Sequence, residues 1–268
     1  MAVAVDRRIR TTLAITVVVI TLAAWWGTSF QARHMGLLMS LGVPMSLGME
    51  GWANPSSFAL FTGMWAVMMI AMMLPSSYPT LLIHRAIYLQ RHRPEPGGTF
   101  LFAASYFLLW TISGTLFYAA YVAVGYLRSA SSVPDIRVVQ AAGAGLIVAG
   151  AYQWSRLKSS CLHHCQSPLF FIMEHWHDGR WGAFRMGTEH GFYCFGCCWG
   201  LMLILFLMGI MHLGWMAAVA VFILVEKLMP SARWLPKVAG LVMVAAGIII
   251  LIAPNVLGNL SSQVTIAR

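Results

Sequence analysis

The sequence predicts an all-α, polytopic transmembrane helix bundle, and its composition and its apolar stretches support this fold class. Hydrophobic residues make up 59 % of the 268 residues, whereas charged residues make up only 9 %. A water-soluble domain carries roughly a quarter charged residues. Several apolar stretches also reach the length of about 20 residues that a helix needs to cross a membrane. The shortage of charge is explained if most side chains face lipid or one another.

About seven apolar stretches are long enough to span a membrane, so the whole chain is predicted to be one membrane domain. The predicted spans are 11–30, 58–82, 100–127, 136–155, 192–211, 214–230 and 238–257. The first follows three arginines as a signal peptide would, but it is too long and lacks an A-x-A cleavage site, so we expect it to be retained. The fifth and sixth are divided only around His212 and Gly214, and one long tilted helix is the alternative there.

Lysine and arginine are distributed unevenly between the two sides of the predicted bundle. With seven spans, 13 of the 17 basic residues fall on the side of the N-terminus. Because cytoplasmic loops carry the excess of basic residues, the N-terminus is predicted to be cytoplasmic and the C-terminus external. This bias accounts for the net charge of +9. The sequence also has no basic run interleaved with exposed aromatic residues, the pattern typical of nucleic-acid binding. The lipid bilayer is therefore an expected partner, and nucleic acid is not.

All five cysteines lie between positions 161 and 198, together with five of the nine histidines. Cys161 and Cys165 stand one helical turn apart, and Cys194, Cys197 and Cys198 form a C-x-x-C motif with a third adjacent thiol. The predicted topology places this region in the cytoplasm, where thiols stay reduced. Metal binding is therefore favoured over disulfide formation.

The two cysteine groups are predicted to close around one metal ion, with nearby histidines as further ligands. The candidate ligands are Cys161, His163, His164, Cys165, His190, Cys194, Cys197 and Cys198. Copper(I) accepts two or three thiolates, whereas zinc needs four ligands, so copper(I) is favoured and zinc is the alternative. Packing alone would explain the second cysteine group, because buried cysteine often acts as a small apolar residue, but it would not explain the first.

The segment 156–191 is predicted to be a cytoplasmic, amphipathic, Cys/His-rich region at the membrane interface. Within it, Pro168 to Asp178 is typical of a short helix with an apolar face. We expect His175 and His177 of this helix to face water rather than a metal ion.

Methionine provides a second group of soft ligands. Met64, Met68 and Met72 recur every four residues, and Met69 and Met73 form the neighbouring row, so these five share a broad helix face. Thioethers can bind copper(I) weakly at successive sites, although methionine also serves as a flexible space-filler in helix bundles. Four more methionines precede this ladder in a predicted external loop, at Met35, Met39, Met45 and Met49.

These motifs resemble those of a bacterial family of predicted metal-binding integral membrane proteins whose function is uncharacterised. The matching positions are 64–76, 161–168, 182–187, 190–199 and 226–227, and the resemblance extends over about 58–252. It implies a multi-pass protein of the bacterial cytoplasmic (inner) membrane with a metal site. It implies neither a substrate nor a mechanism.

Glu226 and Lys227 close the sixth predicted span, where charge is costly unless it is paired or near water. We expect Lys227 to reach the cytoplasmic surface and Glu226 to pair with a basic neighbour such as Arg185. The sequence contains no P-loop, dinucleotide-binding or H-E-x-x-H motif. The sequence therefore lacks the motifs that an ATP-driven pump, a dinucleotide-binding enzyme or a zinc protease needs.

The sequence therefore predicts a membrane protein that binds a soft transition metal, with copper favoured, and takes part in its transport, delivery or homeostasis. External methionines would collect the ion, the ladder would carry it inward, and thiolates would receive it. A metal chaperone or a metalloenzyme complex would be its partner. The alternatives are an accessory or assembly subunit with a structural zinc site and a membrane thiol or metal oxidoreductase. An enzymatic role is the less favoured reading.

Overall fold

A computed structural model of the protein describes residues 7–40, 55–90, 97–130, 135–208 and 212–253. Nine helices occupy these ranges, and no strand occurs within them. Their bounds are α1 Arg7–Ser40, α2 Pro55–Gln90, α3 Gly98–Ala130, α4 Asp135–Tyr152, α5 Arg156–Gln166, α6 Pro168–Glu174, α7 Gly179–Met208, α8 Leu213–Leu228 and α9 Leu235–Ile252. The predicted all-α fold class is confirmed.

Four helical stretches within the described ranges are long and apolar enough to cross a membrane. They are Arg7–Arg33, Phe58–Gln90, Gly98–Ala120 and Leu235–Ile252, and Val139–Tyr152 is a shorter apolar helix. The count of seven spans stays a prediction. α7 differs from a simple span because its first half carries Arg180, Arg185 and Glu189, whereas its second half is almost entirely apolar.

α8 begins as a separate helix at Leu213. The ring of His212 accepts a hydrogen bond from the backbone N–H of Trp215, and this bond satisfies one of the free donors at the helix start. α7 is described up to Met208, and residues 209–211 lie outside the described ranges. The polar side chain at position 212 thus has a local structural role as a helix cap.

α2 and α7 form the centre of the bundle. α7 contacts α3, α4, α5 and α8, whereas α2 contacts α1, α3, α6 and α8. Since α3 and α8 contact both central helices, they close a shared core between them. This core contains the buried methionines of α2 together with the buried cysteines of α5 and α7. The two sulfur-rich motifs of the sequence therefore meet in one region of the fold.

Local sequence signals position the short helices beside α7. The hydroxyl of Ser155 accepts a hydrogen bond from the backbone N–H of Lys158 and so caps the start of α5. α6 begins with Pro168 in its first turn, where the missing N–H costs nothing. Gly179 starts α7 with a φ angle of 79°, a left-handed conformation that glycine adopts without strain. α5 and α6 are thereby brought back against α7 and α2.

α4 and α9 pack closely through two pairs of glycines. A Cβ atom at Gly150 would lie 2.8 Å from the carbonyl oxygen of Gly240, and one at Gly143 would lie 3.0 Å from that of Gly247. Helices in membranes approach closely through such small residues because dispersion contacts then extend along both backbones. Gly143 and Gly150 of α4 thus serve the packing of two helices within one chain.

Replacing Gly150 with alanine is expected to destabilise the fold by about 1–3 kcal/mol, the usual range for overpacking. The new methyl group would meet the carbonyl oxygen of Gly240 at 2.8 Å and the backbone nitrogen of Val244 at 2.9 Å. Gly145→Ala is the matched control, because nothing lies within 4 Å of a Cβ there. The measurement is the thermal unfolding midpoint in detergent, and equal midpoints for the two variants would contradict this packing.

Candidate metal centre

Three cysteine side chains of α7 meet in the core of the protein. Cys194, Cys197 and Cys198 stand three and four residues apart, which places their side chains on one helix face. Their sulfur atoms lie within 4.8 Å of one another, and all three side chains are fully buried. In the part of the chain that the structure describes, no other group of three cysteine, histidine or acidic residues brings its ligand atoms this close. Such a thiol group can hold one soft metal ion.

α5 adds a fourth buried thiol to this group. The sulfur of Cys165 lies 3.8 Å from the sulfur of Cys197, so the two distant cysteine motifs converge. Cys161 is half-buried, and its sulfur would lie only 2.7 Å from a Cβ atom at Gly196. The missing side chain at Gly196 therefore lets α5 approach α7. Burial raises the pKa of the Cys161 thiol, which keeps it protonated at neutral pH at the edge of the cluster.

A buried lysine contacts the thiol cluster. Lys227 Nζ lies 3.0 Å from Cys194 Sγ and 3.2 Å from Ser76 Oγ, and the lysine is only 4 % exposed. The hydroxyl of Tyr106 lies 2.9 Å from the same sulfur. A buried ammonium is costly unless an anion faces it, and a serine hydroxyl is not ionised near neutral pH. The contact therefore favours a thiolate at Cys194, and it corrects our expectation that Lys227 reaches the surface.

A second buried lysine forms an ion pair beside the cluster. Lys158 Nζ lies 2.9 Å and 3.1 Å from the two carboxylate oxygens of Glu226, and each residue is 1 % exposed. The same ammonium donates a hydrogen bond of 2.7 Å to the backbone carbonyl of Cys197. Arg185, our expected partner of Glu226, instead binds Glu189 at 2.9 Å. Lys158 therefore neutralises Glu226, which leaves the charge of Lys227 for the thiols.

His190 lies one helical turn before Cys194 on α7. It is 2 % exposed, and its ring centroid lies 5.4 Å from that of Tyr106, whose hydroxyl reaches Cys194. Its Nδ1 atom is buried without a hydrogen-bond partner. A buried polar atom of this kind usually has a partner in a native protein. His190 is thus buried beside the tyrosine that contacts the thiol cluster, and its role as a metal ligand stays a prediction.

The other two predicted histidine ligands face away from the thiols. His163 is exposed on α5. His164 stacks on Tyr193 with ring centroids 4.1 Å apart, and its Nε2 atom points toward Glu174 at 3.7 Å. Since α5 directs Cys165 into the core, the neighbouring positions 163 and 164 fall on other faces of the helix.

The methionine ladder of α2 lies in the same core as the thiols. Met68, Met69, Met72 and Met73 are at most 1 % exposed and share a single hydrophobic cluster with the four buried cysteines. Met64 is half-buried at the end of the ladder. Of the preceding methionines, two fall in the final turns of α1, where the structure describes no side chains, and two lie outside the described residues; these are Met35, Met39, Met45 and Met49. Thioethers and thiols thus form one continuous soft region.

Sequence reasoning missed two side chains that contact the cluster, Lys158 and Tyr106. Lys158 stands three residues before Cys161 and seven before Cys165, which is the spacing of one helix face. That periodicity was a usable signal that the lysine points with the cysteines into the core. Tyr106 carried no such signal, because it lies in a long apolar helix among other aromatic residues.

One comparison with known proteins, that with protein families, supports a metal-related role. No curated protein and no solved structure matches the chain. A family described as PpoB2, copper chaperone, matches residues 62–250, a region that includes the methionine ladder, both lysines and all five cysteines. The expected resemblance to a metal-binding family is thereby confirmed in its broad form. Because the match covers more than half of the 268 residues, the chain belongs to the PpoB2 copper chaperone family.

Proposed function

We propose that this protein is a copper chaperone of the bacterial cytoplasmic membrane that holds one Cu(I) ion on buried thiolates and passes it to a metalloenzyme. The observation that carries the proposal is the group of three fully buried cysteines, with sulfur atoms within 4.8 Å of one another, on a chain of this family. Thiolates are the ligands that Cu(I) prefers. Burial protects the ion and the thiols from water and oxidants.

The charges around the cluster favour a two-thiolate Cu(I) complex over a four-thiolate zinc complex. Glu226 is neutralised by Lys158, so Lys227 supplies one positive charge to the thiols. A Cu(I) ion on two thiolates carries a net charge of about minus one, which Lys227 cancels. A Zn2+ ion on four thiolates carries about minus two, which leaves one buried charge unpaired. Such a charge is expensive in the interior, so the site suits a two-thiolate copper complex.

The methionine ladder supplies the route by which copper reaches the thiolates. The buried thioethers of α2 lie in the same core as the cysteines, so an ion can pass from one sulfur ligand to the next. Affinity rises from thioether to thiolate, which sets the direction of movement without ATP. With the N-terminus in the cytoplasm, as the basic residues indicate, the copper would move inward.

Metal analysis of the purified protein tests this function. The full chain is purified in detergent, kept reduced and without oxygen, and titrated with Cu(I) against a chromophoric Cu(I) chelator. We expect one tightly held Cu(I) per chain and an X-ray absorption spectrum that shows sulfur ligands. Stoichiometric zinc that Cu(I) does not displace would support the structural-zinc alternative instead. Protein that binds neither metal would refute the proposal.

The rate of Cu(I) loading in vesicles that contain the protein, together with the final copper content, tests the methionine route. A Met68→Leu, Met72→Leu double variant keeps the volume and apolarity of the core but removes two thioethers. We expect the same final copper content and slower loading in vesicles that contain the protein. Unchanged loading kinetics would exclude the ladder from the route and would leave the thiol site itself standing.

A further inference from the structure

Four of the five thiols are buried, and the fifth lies at the boundary with solvent. Cys194, Cys197 and Cys198 are 0 % exposed, and Cys165 is 7 % exposed. Of the five cysteines, all of which lie within the described ranges, only Cys161 is half-buried. A partner protein cannot contact an ion that is held in the core at this depth. Transfer of copper therefore needs a ligand that faces both the cluster and the solvent.

α5 places Cys161 between its buried face and its exposed face. The buried residues of this helix are Lys158, Leu162 and Cys165, and Cys161 stands one turn before Cys165. Residues four apart on a helix have their Cβ atoms about 5–6 Å from one another, so Cys161 borders the buried thiols. On its other side, Leu157 stands one turn earlier and is 63 % exposed. The side chain of Cys161 thus lies where the cluster ends and the solvent begins.

Gly196 brings the sulfur of Cys161 against the turn of α7 that carries the cluster. This sulfur would lie 2.7 Å from a Cβ atom at Gly196, so it rests on the bare backbone there. Gly196 directly precedes Cys197 and stands two positions after Cys194. The hydroxyl of Tyr152 donates a hydrogen bond of 2.7 Å to the carbonyl oxygen of Gly196 and holds this backbone in place. The glycine leaves no side chain between Cys161 and the cysteine turn.

We propose that Cys161 is the transfer ligand of the copper site, through which Cu(I) passes between the buried cluster and a thiol of a partner protein. The inference rests on the proposed copper-chaperone function and deepens it. In the first step a bond forms between Cu(I) and the Cys161 sulfur, and one bond from Cu(I) to a cluster sulfur breaks. The proton of the Cys161 thiol moves to the sulfur that is released. The partner's thiol then binds the ion and gives its own proton to Cys161, and copper stays Cu(I) throughout.

A transfer ligand changes the rates of copper exchange without changing the equilibrium. The ion occupies Cys161 only on its way, so the residue lowers the barriers for loading and for release by the same amount. The affinity depends on the end state alone, in which the buried thiolates hold the copper. A Cys161→Ser variant should therefore keep the native Cu(I) affinity and exchange its copper slowly, because a serine hydroxyl is a poor ligand for a soft ion.

Copper-exchange kinetics of the full chain test this role. The protein is loaded with Cu(I) in detergent, kept reduced and without oxygen, and mixed rapidly with a chromophoric Cu(I) chelator, whose absorbance reports release. Loading is followed in the reverse direction, from the preformed complex of Cu(I) with the chelator. For Cys161→Ser we expect both rates to fall at least about tenfold, which corresponds to about 1.4 kcal/mol on the barrier. The dissociation constant, measured by equilibrium titration, should not change.

Ser160→Ala, at the exposed neighbouring position of α5, is the control and should exchange copper as the native chain does. Native exchange rates in Cys161→Ser would overturn the proposal. A lower Cu(I) affinity in that variant would overturn it as well, because Cys161 would then be a permanent ligand. A native chain that binds no Cu(I) in the equilibrium titration would refute the proposed function itself, and the transfer role with it.

Discussion

A chain in which Cys197 is replaced by serine is expected to lose Cu(I) affinity by more than about a hundredfold. Mutation of residues that only support a metal ligand already lowers metal affinity by about ten- to a hundredfold. Cys197 is a direct ligand in the proposed site, so its loss should cost more. Its sulfur lies 3.2 Å from Cys198 Sγ and 3.8 Å from Cys165 Sγ, so it joins the α7 thiols to the α5 thiol. Serine offers a hard, protonated oxygen in place of a soft thiolate. Competition against a Cu(I) chelator measures the change.

Cys161→Ser is the matched control for this variant. Cys161 belongs to the same sequence motif as Cys165, but its sulfur packs on Gly196 at the edge of the cluster. We expect the control to keep most of the native Cu(I) affinity. Equal losses in the two variants would mean that copper binds outside the buried cluster, and an unchanged affinity in Cys197→Ser would exclude that cysteine as a ligand.

The sulfur-rich part of the site could be predicted from the sequence, whereas the pairing of its charged groups could not. Helical spacing alone places Cys194, Cys197 and Cys198 on one face, and the same rule aligns the methionines of α2. Which face turns inward depends on the neighbouring helices. That is why His163 and His164 were predicted with Cys165 although they fall on other sides of α5.

Partners that come from distant parts of the chain were beyond the reach of sequence reasoning. Glu226 pairs with a lysine 68 positions earlier, and Lys227 contacts Ser76 across 151 positions. Contacts between residues so far apart along the chain leave no periodic pattern in a single sequence. The general rule that lysine near a span end reaches for water therefore gave the wrong answer for Lys227, since a thiolate in the core stabilises its charge instead.

Replacing Lys158 with methionine is expected to lower the free energy of unfolding by about 3–5 kcal/mol, the usual cost of leaving one partner of a buried ion pair alone. The carboxylate of Glu226 would remain at 1 % exposure without its cation. A Lys158→Met, Glu226→Leu double variant removes both charges and should recover most of the loss. The thermal unfolding midpoint of the metal-free protein measures both effects, and no recovery in the double variant would contradict the pairing.

Replacing Lys227 with methionine is expected to weaken copper binding rather than stability. The reason is that the partner of Lys227, the Cys194 thiolate, can take up a proton. When the ammonium is removed, the Cys194 thiolate becomes a neutral thiol, so the metal-free protein should lose little stability. A two-thiolate copper complex cannot be neutralised in this way, since its negative charge comes with the ion. The Cu(I) affinity of the Lys227→Met variant should therefore fall by about a hundredfold or more, which corresponds to the cost of an unpaired buried charge. A variant that unfolds as readily as Lys158→Met while keeping its copper affinity would show that Lys227 supports the fold rather than the metal site.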